Sequence, residues 1–567
     1  MKRLAVALIG ALFAVSPFAI AHANFVTFES GHTRPLALSS SGDYLFAVNT
    51  PDNRLEVFRV TAGGLEFVSD VRVGLEPVAV AVRGSEVYVV NHLSDSVSCV
   101  DATDPASPVV KETLLVGDEP RDVVVGGPNG DRIFVTTAHR GQNNPSDPQL
   151  QQEGVDRADV WVYDAADLAS PLTILTLFCD TPRALAVTPD GNTVYAAAFH
   201  SGNQTTTLSQ LAVSDSGATN SLIDDDFDAP GIPEPTANKQ GIEGPGVGLI
   251  VKRDEKGAWR DEEGTDWTPR LRFDLPDYDV FSIDASQTPP IVSDRVSGVG
   301  TILFNLAVHP TNGKVYCSNL ESRNHVRFEP EVNGHIAESR VSIIDGDDVS
   351  SVHINPHIDY STPSGSADEI AQSLAFPTDM VFTADGSKLF VAAFGSKKVG
   401  VLDADGQVLQ QIDVGGGPSG VALDSEESRL FVMNRFDHSI SIVDVESGAQ
   451  TGVVPLRYNP EPGEVLVEIQ AKIGINLVDH AILPDSLRVC RLLPASDSPL
   501  VVYPCPGQRW EDSLFSVHAL VREHLPATGA LLFRGFDLLG EGPFQRFAES
   551  FGDPLLSYEF GSTPRSQ

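Results

Sequence analysis

The side chains with the most capacity for chemistry are three histidines that each end a predicted strand. His92, His139 and His200 occupy matching places in three successive segments, and Arg140 directly follows His139. If matching places face one end of a common channel, these side chains converge and could bind a metal ion, a haem edge or an anion. The alternative left open is that each imidazole bonds a loop carbonyl. The sequence therefore offers a candidate ligand-binding group, but no catalytic set.

Cysteine usage limits the redox chemistry of the chain. The five cysteines are Cys99, Cys179, Cys317, Cys490 and Cys505, and no C-x-x-C or C-x-x-C-H run is present. Covalent attachment of c-type haem is therefore excluded for this chain. Cys490 and Cys505 could form a disulfide, although neither their spacing nor the odd count requires one.

A repeat of about 42 residues supplies the elements that must position the histidines. Seven segments open on similar apolar runs, and these begin at Pro35, Pro77, Pro120, Pro182, Leu303, Pro377 and Pro418. Three uninterrupted intervals are 42 residues (35 to 77), 43 (77 to 120) and 41 (377 to 418). This is the length of one four-stranded blade, so the period predicts a mainly β protein built as a seven-bladed β-propeller.

Each unit follows the same order of strands and turns. An apolar strand leads through a turn such as Asp190-Gly-Asn192 into a second strand, and then into a third. The predicted third strands are Ser96–Asp101, Asp159–Asp164, Lys398–Asp403 and Ser439–Asp444. Alternating β-branched residues with Gly or Asp at the joints favour strands over helices.

The repeats resemble the YVTN-type seven-bladed β-propellers, relatives of WD40 repeats. The resemblance is carried by Val87-Tyr-Val-Val-Asn91 with Val97–Asp101, and by Leu430-Phe-Val-Met-Asn434 with Ile440–Asp444. It implies a binding platform, a lactonase-like enzyme or a partner of haem proteins. The insertion through Trp267 and the closing Arg457–Pro462 resemble a subgroup whose longer members carry a cytochrome c domain. No haem-attachment motif follows Pro462 here, so a haem- or electron-transfer-associated role is only an alternative.

The repeat sets the expected domain boundaries. We expect a signal peptide at 1–23, a propeller at 24–462, a junction at 463–489 and a separate α+β segment at 490–567. Two insertions interrupt the propeller, at about 140–158 and about 201–250. Long loops on a rigid scaffold often carry ligand contacts.

The last segment resembles the start of the TauD/TfdA family of Fe(II)/2-oxoglutarate dioxygenases. The matching runs are Gly529–Phe536, Phe551-Gly-Asp-Pro-Leu555 and Gly561–Arg565. In a complete homologue Arg534 and Arg565 would be candidate substrate contacts, although each could instead pair with a local carboxylate. The sequence stops before the stretch that would supply the iron ligands. We therefore expect no cofactor within this chain, and Fe(II) with 2-oxoglutarate only if another polypeptide completes the site.

The N-terminus and the net charge restrict location and partners. Lys2 and Arg3, the apolar run Leu4–Phe13 and the small residues around Ala23 are typical of an export signal, so we expect a periplasmic or secreted protein. The formal net charge is −38. Nucleic acids and anionic lipids require a cationic surface, so both are excluded as partners. No later stretch is long and apolar enough to span a membrane.

Together these observations predict an exported binding or scaffold propeller, formed by a gene fusion with a truncated, non-catalytic oxygenase-like tail. Its partner would be an unidentified small molecule or protein at one propeller face. The enzyme alternative is an oxidoreductase that needs a partner chain for its iron site.

Overall fold

The computed structural model describes residues 30–138, 158–213, 237, 240–244, 246–271, 277–327, 334–362, 365–457 and a few short pieces after 486. The chain divides into two units, Met1–Leu456 and Arg457–Gln567. The predicted signal 1–23, most of the insertion 140–158 and nearly all of the junction 463–489 lie outside the described residues, as do Cys505, Arg534 and Arg565.

The first unit contains seven four-stranded antiparallel sheets within the described residues. Sheet 1 consists of β1 (Leu36–Leu38), β2 (Tyr44–Asn49), β3 (Arg54–Thr61) and β4 (Gly64–Arg72). Sheet 2 consists of β5 (Pro77–Arg83), β6 (Glu86–Asn91), β7 (Ser96–Asp101) and β8 (Val109–Leu115). Sheet 3 consists of β9 (Val123–Gly126), β10 (Arg132–Thr137), β11 (Ala158–Asp164) and β12 (Thr173–Leu177). A short 3₁₀ helix, His92–Ser94, joins β6 to β7.

An insertion lies between the second and third strands of sheet 4. The chain passes through β13 (Pro182–Val187), β14 (Thr193–Ala198), β15 (Thr205–Leu208), α1 (Gln210–Val213), β16 (Leu249–Arg253), β17 (Trp259–Arg260), a 3₁₀ helix (Thr268–Arg270), β18 (Val280–Asp284) and β19 (Ile291–Val296). Sheet 4 has the order β13-β14-β18-β19, and β15-β16-β17 form a separate small sheet. Trp259 and Trp267 are buried in a core that belongs to the insertion. The insertion therefore continues past the predicted end at 250.

The remaining sheets follow without such an interruption. Sheet 5 consists of β20 (Ile302–Val308), β21 (Val315–Ser322), β22 (Ala337–Asp345) and β23 (Asp348–His353). The helix α2 (Ala367–Gln372) precedes sheet 6, which consists of β24 (Pro377–Phe382), β25 (Leu389–Ala393), β26 (Lys398–Leu402) and β27 (Val408–Asp413). Sheet 7 consists of β28 (Pro418–Leu423), β29 (Arg429–Asn434), β30 (Ser439–Asp444) and β31 (Ala449–Pro455).

The sheets form a closed ring around a central channel. The first strand of each sheet contacts the first strand of the next, and β28 of sheet 7 contacts β1 of sheet 1. Buried apolar side chains form one cluster between each consecutive pair of sheets, including the pair of sheets 7 and 1. A single sheet could not bury both faces alone, whereas radial stacking covers them. This arrangement is that of a β-propeller.

Turn chemistry at the sequence-predicted joints explains why the strands reverse there. At Asp190-Gly191-Asn192 the glycine has φ +74°, and the Asp190 carboxylate accepts from the Thr188 hydroxyl at 2.6 Å and from the Asn192 N–H at 3.1 Å. Glycine takes positive φ without a steric penalty, and aspartate caps the turn. The sequence prediction of strand–turn–strand units is confirmed here.

The second unit contributes three short described strands, β32 (Leu487–Arg491), β33 (Leu500–Pro504) and β34 (Leu531–Phe533). β32 pairs with β33 antiparallel, and β33 pairs with β34 parallel. β34 lies inside the run that carries the oxygenase resemblance. Among the helices of the described part of the chain, none has the length and apolar character needed to cross a bilayer.

Candidate functional site

The first strands bring polar side chains to the channel axis through a recurrent irregularity. The pairing of the first and second strands shifts register just after the opening residue in sheets 2, 4, 5, 6 and 7. Such bulges redirect side chains locally. The third residue of the unit is Asn305 in sheet 5 and Asp379 in sheet 6, and Asp122 stands at the same place before β9.

Arg34 joins these three residues at the centre of the channel. Its Nη2 donates to Asp122 Oδ2 at 3.3 Å, to Asn305 Oδ1 at 3.3 Å and to the Leu185 carbonyl at 2.8 Å. Its Nη1 lies 3.9 Å from Asp379 Oδ1. Burial raises the pKa of both carboxyls, that of Asp379 to about 6, and Arg34 opposes this effect. This buried network ties four sheets together and serves structure.

The segment Ser30–Arg34, here called the strap, runs into the channel from the end where the first strands begin. His32 bonds Ser419 Oγ at 2.8 Å and Thr50 Oγ1 at 2.7 Å, while the Thr33 N–H donates to the Val78 carbonyl at 3.0 Å. Burial, and then the nearby cations, hold the pKa of His32 well below its usual value. His32 and Thr33 therefore anchor the strap to sheets 1, 2 and 7 by neutral hydrogen bonds.

Arg183 contacts the strap and has no carboxylate partner among the described residues. Its Nη2 donates to the His32 carbonyl at 2.6 Å, and its Nε donates to the Phe304 carbonyl at 2.9 Å. The residue is only 5% exposed. Burial, followed by the charge of Arg121, lowers the pKa of Arg183 to about 9. The site thus holds a buried cation that bonds carbonyl oxygens and contacts no carboxylate among the described residues, although the charges of Asp122 and Asp379 act on it from a distance.

A second arginine stands beside it on the same aromatic ring. The guanidinium of Arg183 lies 4.8 Å from the centroid of Phe199, and that of Arg121 lies 5.5 Å from it. Arg121 Nη2 donates to Glu119 Oε2 at 3.2 Å, whereas its buried Nε has no acceptor among the described residues. Burial lowers the pKa of Arg121 as well. Cation–π contacts favour this placement of two like charges, but they do not neutralise it.

Phenylalanines continue from this ring toward solvent. The Phe199 and Phe304 centroids are 6.0 Å apart, and those of Phe304 and Phe376 are 6.2 Å apart. Phe376 is 49% exposed. We call Arg121, Arg183, Phe199, Phe304 and Phe376 the arginine–phenylalanine surface. Buried cations next to exposed aromatic rings suit the binding of a ligand with both a polar and an apolar part.

A second aromatic pair lies at the edge of this surface. The rings of Phe394 and Phe436 are 4.9 Å apart, and Phe436 is 44% exposed. The Phe394 N–H donates to the Phe376 carbonyl at 3.0 Å. Exposed aromatic side chains therefore extend across sheets 6 and 7 at this end of the channel.

Of the predicted histidines, His200 contacts this surface and His92 bonds the loop that leads to Arg121. His92 is buried, and its Nδ1 bonds the Pro120 carbonyl at 3.1 Å, which is the loop-carbonyl alternative. His200 stacks on Phe199 at 4.3 Å, and its Nδ1 lies 4.0 Å from Asp180 Oδ2. Burial lowers the pKa of both imidazoles. His139 and Arg140 lie outside the described residues.

No group of three or more His, Cys, Asp or Glu side chains in the described ranges has the geometry to hold a metal ion. The two arginines, which sequence reasoning did not single out, are the charged residues nearest the aromatic rings. A signal for them exists in the sequence. Arg121 and Arg183 both occupy the second position of their units, where the other units have Leu36, Val78, Phe304, Thr378 and Ser419.

The opposite end of the channel is wider and more apolar. A cavity of about 470 Å³ opens there, lined by side chains of the first strands such as Val82, Val125 and Phe382, with Arg34 at its floor. Because Arg34 is already matched to two carboxylates, this cavity offers little polar recognition.

The chain matches no protein-family model and no curated protein sequence. Among solved structures it is similar to hydrazine synthase of Kuenenia stuttgartiensis, with 16% identity, a TM-score of 0.49, and 75% of this chain and 98% of that chain covered. A protein of unknown function from Desulfotomaculum acetoxidans shows 14% identity and a TM-score of 0.42, with 73% and 95% covered. Apo AztD of Citrobacter koseri shows 11% identity and a TM-score of 0.35, with 75% of this chain and 86% of that chain covered. At these identities and scores, the likenesses say nothing about ligand or activity.

Proposed function

We propose that the chain is an exported, seven-bladed, YVTN-type β-propeller that binds a small organic ligand at the arginine–phenylalanine surface. In this proposal the TauD/TfdA-like segment has no catalytic activity of its own. The observation that carries the proposal is the row of phenylalanines from the partly buried Phe199 through the buried Phe304 to the half-exposed Phe376. Removing an aromatic ring from water is favourable, so such a row is a binding surface for an apolar group.

The architecture supports a binding role. The seven described sheets and their seven intervening cores form a rigid ring, and the loops before the first strands and after the second strands meet at one end. Function on such scaffolds is carried by loops that a rigid core positions. The described hydroxyl–imidazole contacts of this end, those of His32 with Ser419 and Thr50, are buried and anchor the strap. Binding at the exposed aromatic rings therefore accounts for the geometry better than catalysis.

A fluorescence titration of the full chain with the neutral dye Nile red tests the surface. We expect saturable binding that Phe376→Ser weakens several-fold. The matched control is Leu409→Ser, because Leu409 is also largely exposed, at 58% against 49% for Phe376, but lies on β27 at the outer edge of sheet 6. Equal affinity of both variants for the dye would show that Phe376 is not part of the binding surface. If the chain instead binds no dye and purifies with another protein, its partner is a macromolecule.

Export is tested by N-terminal sequencing of the protein from cell fractions. We expect the periplasmic or secreted form to begin at Asn24. Recovery of an intact Met1 form in the cytoplasm alone would contradict export. For the oxygenase-like segment, we expect anaerobic addition of Fe(II) and 2-oxoglutarate followed by air to consume no 2-oxoglutarate beyond the buffer control.

A further inference from the structure

We propose that the arginine–phenylalanine surface takes a small organic monoanion, a carboxylate on a flat apolar body, with the carboxylate on Arg183 and Arg121 and the body on Phe304 and Phe376. This inference rests on the proposed function and adds the chemistry of the ligand. Its basis is the electrostatic mismatch at Arg183, which differs from the aromatic row that supports binding in general.

Other arginines with little exposure in the described chain lie within 4.0 Å of a carboxylate, with Arg132 at that limit because it donates mainly to carbonyl oxygens. Arg34 has Asp122 and Asp379, Arg340 Nη2 lies 3.1 Å from Glu321 Oε2, and Arg429 Nε lies 2.8 Å from Asp424 Oδ2. Arg183 is at least as buried as these residues, yet among the described residues its guanidinium donates only to carbonyl oxygens. In a protein with net charge −38, an unneutralised buried guanidinium is an exception. Burying a charge is costly unless it is paired.

The neighbouring cation increases that cost. Arg121 and Arg183 approach the same Phe199 ring, and Arg435 also contributes a like charge at Arg183. Burial and these charges disfavour the protonated guanidinium and outweigh the opposing charges of Asp122 and Asp379, so the pKa of Arg183 falls to about 9. A bound carboxylate would reverse both effects through charge-assisted hydrogen bonds.

Access to the arginines limits the size and charge of the anion. The side chain of Arg121 is 15% exposed and Arg183 is 5% exposed, so only a small group can reach them. The net charge of −38 repels a polyanion in proportion to its charge, and a monoanion is repelled least. These two facts favour a carboxylate over an acidic protein surface, and the adjacent rings of Phe304 and Phe376 favour an apolar body.

Gly31 of the strap marks the space that the anion can occupy. A Cβ at this position would lie 3.7 Å from Arg435 Nη1 and 3.9 Å from both terminal nitrogens of Arg183, which are ordinary contact distances. A short side chain therefore fits there between two guanidinium groups. A carboxylate introduced at position 31 would therefore place an anion next to Arg183.

Calorimetric titration of the full chain compares 2-naphthoate with the neutral 2-naphthalenemethanol, 2-naphthyl phosphate and a poly-glutamate peptide. We expect 2-naphthoate to bind at least about tenfold tighter than the alcohol, and Arg121→Gln to remove about tenfold of that affinity while leaving the alcohol unchanged. Equal affinity for naphthoate and for the alcohol would overturn the proposal that the ligand is a monoanion, but the proposed binding of a small organic ligand would still stand. Tighter binding of the phosphate or of the peptide would overturn the carboxylate assignment.

Arg183 variants could fail to fold, because Arg183 also holds the strap. Substitution at Gly31 avoids this difficulty. We expect Gly31→Asp to raise the melting temperature by about 1–3 °C and to abolish naphthoate binding, because its carboxylate occupies the anion position. The isosteric Gly31→Asn should do neither, and Gly31→Ala sets the baseline for loss of glycine. Unchanged naphthoate affinity in Gly31→Asp would overturn the proposed position of the carboxylate.

Discussion

At the scale of single residues, buried polar side chains on the channel axis are the most informative feature of the ring. Asp122, Asn305 and Asp379 replace the small residues that other units place at the same position, such as Ala79 and Gly420. They surround Arg34, which the strap inserts from outside the repeat. The network requires that at least one carboxylate stay charged beside Arg34 while burial disfavours a second charge.

Asp379→Asn should alter the pH dependence of stability. Burial raises the pKa of Asp379 from 3.8 in the unfolded chain to about 6 in the folded one. The folded state therefore holds more protons than the unfolded state between about pH 4 and 6, and the wild type loses stability as pH rises through this window. In urea unfolding, we expect the variant to gain roughly 1–3 kcal/mol relative to wild type between pH 4 and 7. A difference between variant and wild type that stays flat from pH 4 to pH 7 would refute the raised pKa of Asp379.

Asn434 forms a second buried hydrogen-bond network, and Asn91 forms the same network in sheet 2. Its Nδ2 donates to Ser439 Oγ at 3.1 Å and to Ser441 Oγ at 2.8 Å, and Asn91 makes the same pair of bonds with Ser96 and Ser98. Each asparagine ends a second strand and fixes it to the start of the third.

Removing this amide should leave buried hydroxyls without their donor. We expect Asn434→Ala to lower the free energy of unfolding by about 1–3 kcal/mol, measured by urea denaturation. Asn324→Ala is the control, because Asn324 is exposed. A loss no larger than that of the control would show that the amide is not needed.

The site also shows what a sequence reveals at this scale. The histidines were singled out for chemistry because imidazole is versatile, but His92 is used to bond the Pro120 carbonyl, a loop contact that no sequence spacing encodes. The exposed His200 does lie at the arginine–phenylalanine surface. Arg121 and Arg183 went unnoticed because their opening runs were taken as apolar. An arginine at the second position of adjacent units was the available signal.

At the scale of elements, the loop before a first strand packs on an asparagine at or near the end of the second strand. An added Cβ at Gly74 would lie 2.6 Å from Asn91 Cγ, at Gly300 2.7 Å from Asn319 Cγ, and at Gly415 2.5 Å from Asn434 Cγ. The glycine and the asparagine thus form a matched pair in sheets 2, 5 and 7. The absence of a side chain lets the loop approach the strand end closely.

Gly415→Ala should disrupt this approach. Gly415 does not have a positive φ, so alanine brings no backbone strain there and the change in stability reports on side-chain packing alone. We expect a loss of about 1–3 kcal/mol in the free energy of unfolding, obtained from denaturant titration. Gly63→Ala, whose Cβ would meet its nearest neighbour at 3.8 Å, should change it by less than about 0.5 kcal/mol. Similar losses in both variants would contradict the proposed role of the pair.

The order of strands was predictable, whereas their irregularities were not. Ser96–Asp101 and Ser439–Asp444 form third strands with the predicted bounds, because alternation of β-branched residues is a local signal. The register shifts after Pro77 and Pro377 depend on how the first strand meets the channel, and no local pattern specifies that. The third strand of sheet 4 was displaced by the insertion, so β18 begins only at Val280.

At the scale of the whole molecule, the ring closes without exchange of strands between its ends. Sheet 1 is built entirely from the first repeat and sheet 7 entirely from the last one. The closure consists of an apolar cluster that includes Leu36 and Phe431, the His32–Ser419 hydrogen bond, and an Arg429 Nη1 bond to the Thr61 carbonyl at 2.5 Å. Side-chain packing and side-chain hydrogen bonds, rather than a shared strand, therefore join sheets 1 and 7.

Gly420→Ala should open this junction. A Cβ at Gly420 would overlap Pro35, which opens β1 of the neighbouring sheet. We expect amide hydrogen exchange to rise in peptides of sheets 1 and 7 and to stay unchanged in those of sheets 3 and 4, because the strain is confined to the junction. Gly452→Ala is the control in the same sheet, since its Cβ would meet Ile442 at an ordinary 3.5 Å. Uniform exchange in both variants would mean that the junction does not depend on this contact.

The charge of the molecule connects the architecture with its proposed ligand. A surface with net charge −38 repels anions, so an anion site must rely on short-range contacts in a sheltered position. The arginine–phenylalanine surface has that position, at the end of the channel beside the strap. We therefore expect affinity for 2-naphthoate to increase with added salt up to physiological ionic strength, because salt screens the long-range repulsion more than the buried contact. A monotonic loss of affinity with salt in the same calorimetric titration would contradict this balance.

The most direct test of the proposed site is a crystal structure of the full chain with bound 6-bromo-2-naphthoate, in which the anomalous signal of bromine locates the ligand. The account predicts a ring of seven sheets with the bromine beside Phe376 and the carboxylate on Arg183 and Arg121. Bromine in the apolar cavity at the opposite end of the channel, or away from the ring, would contradict it.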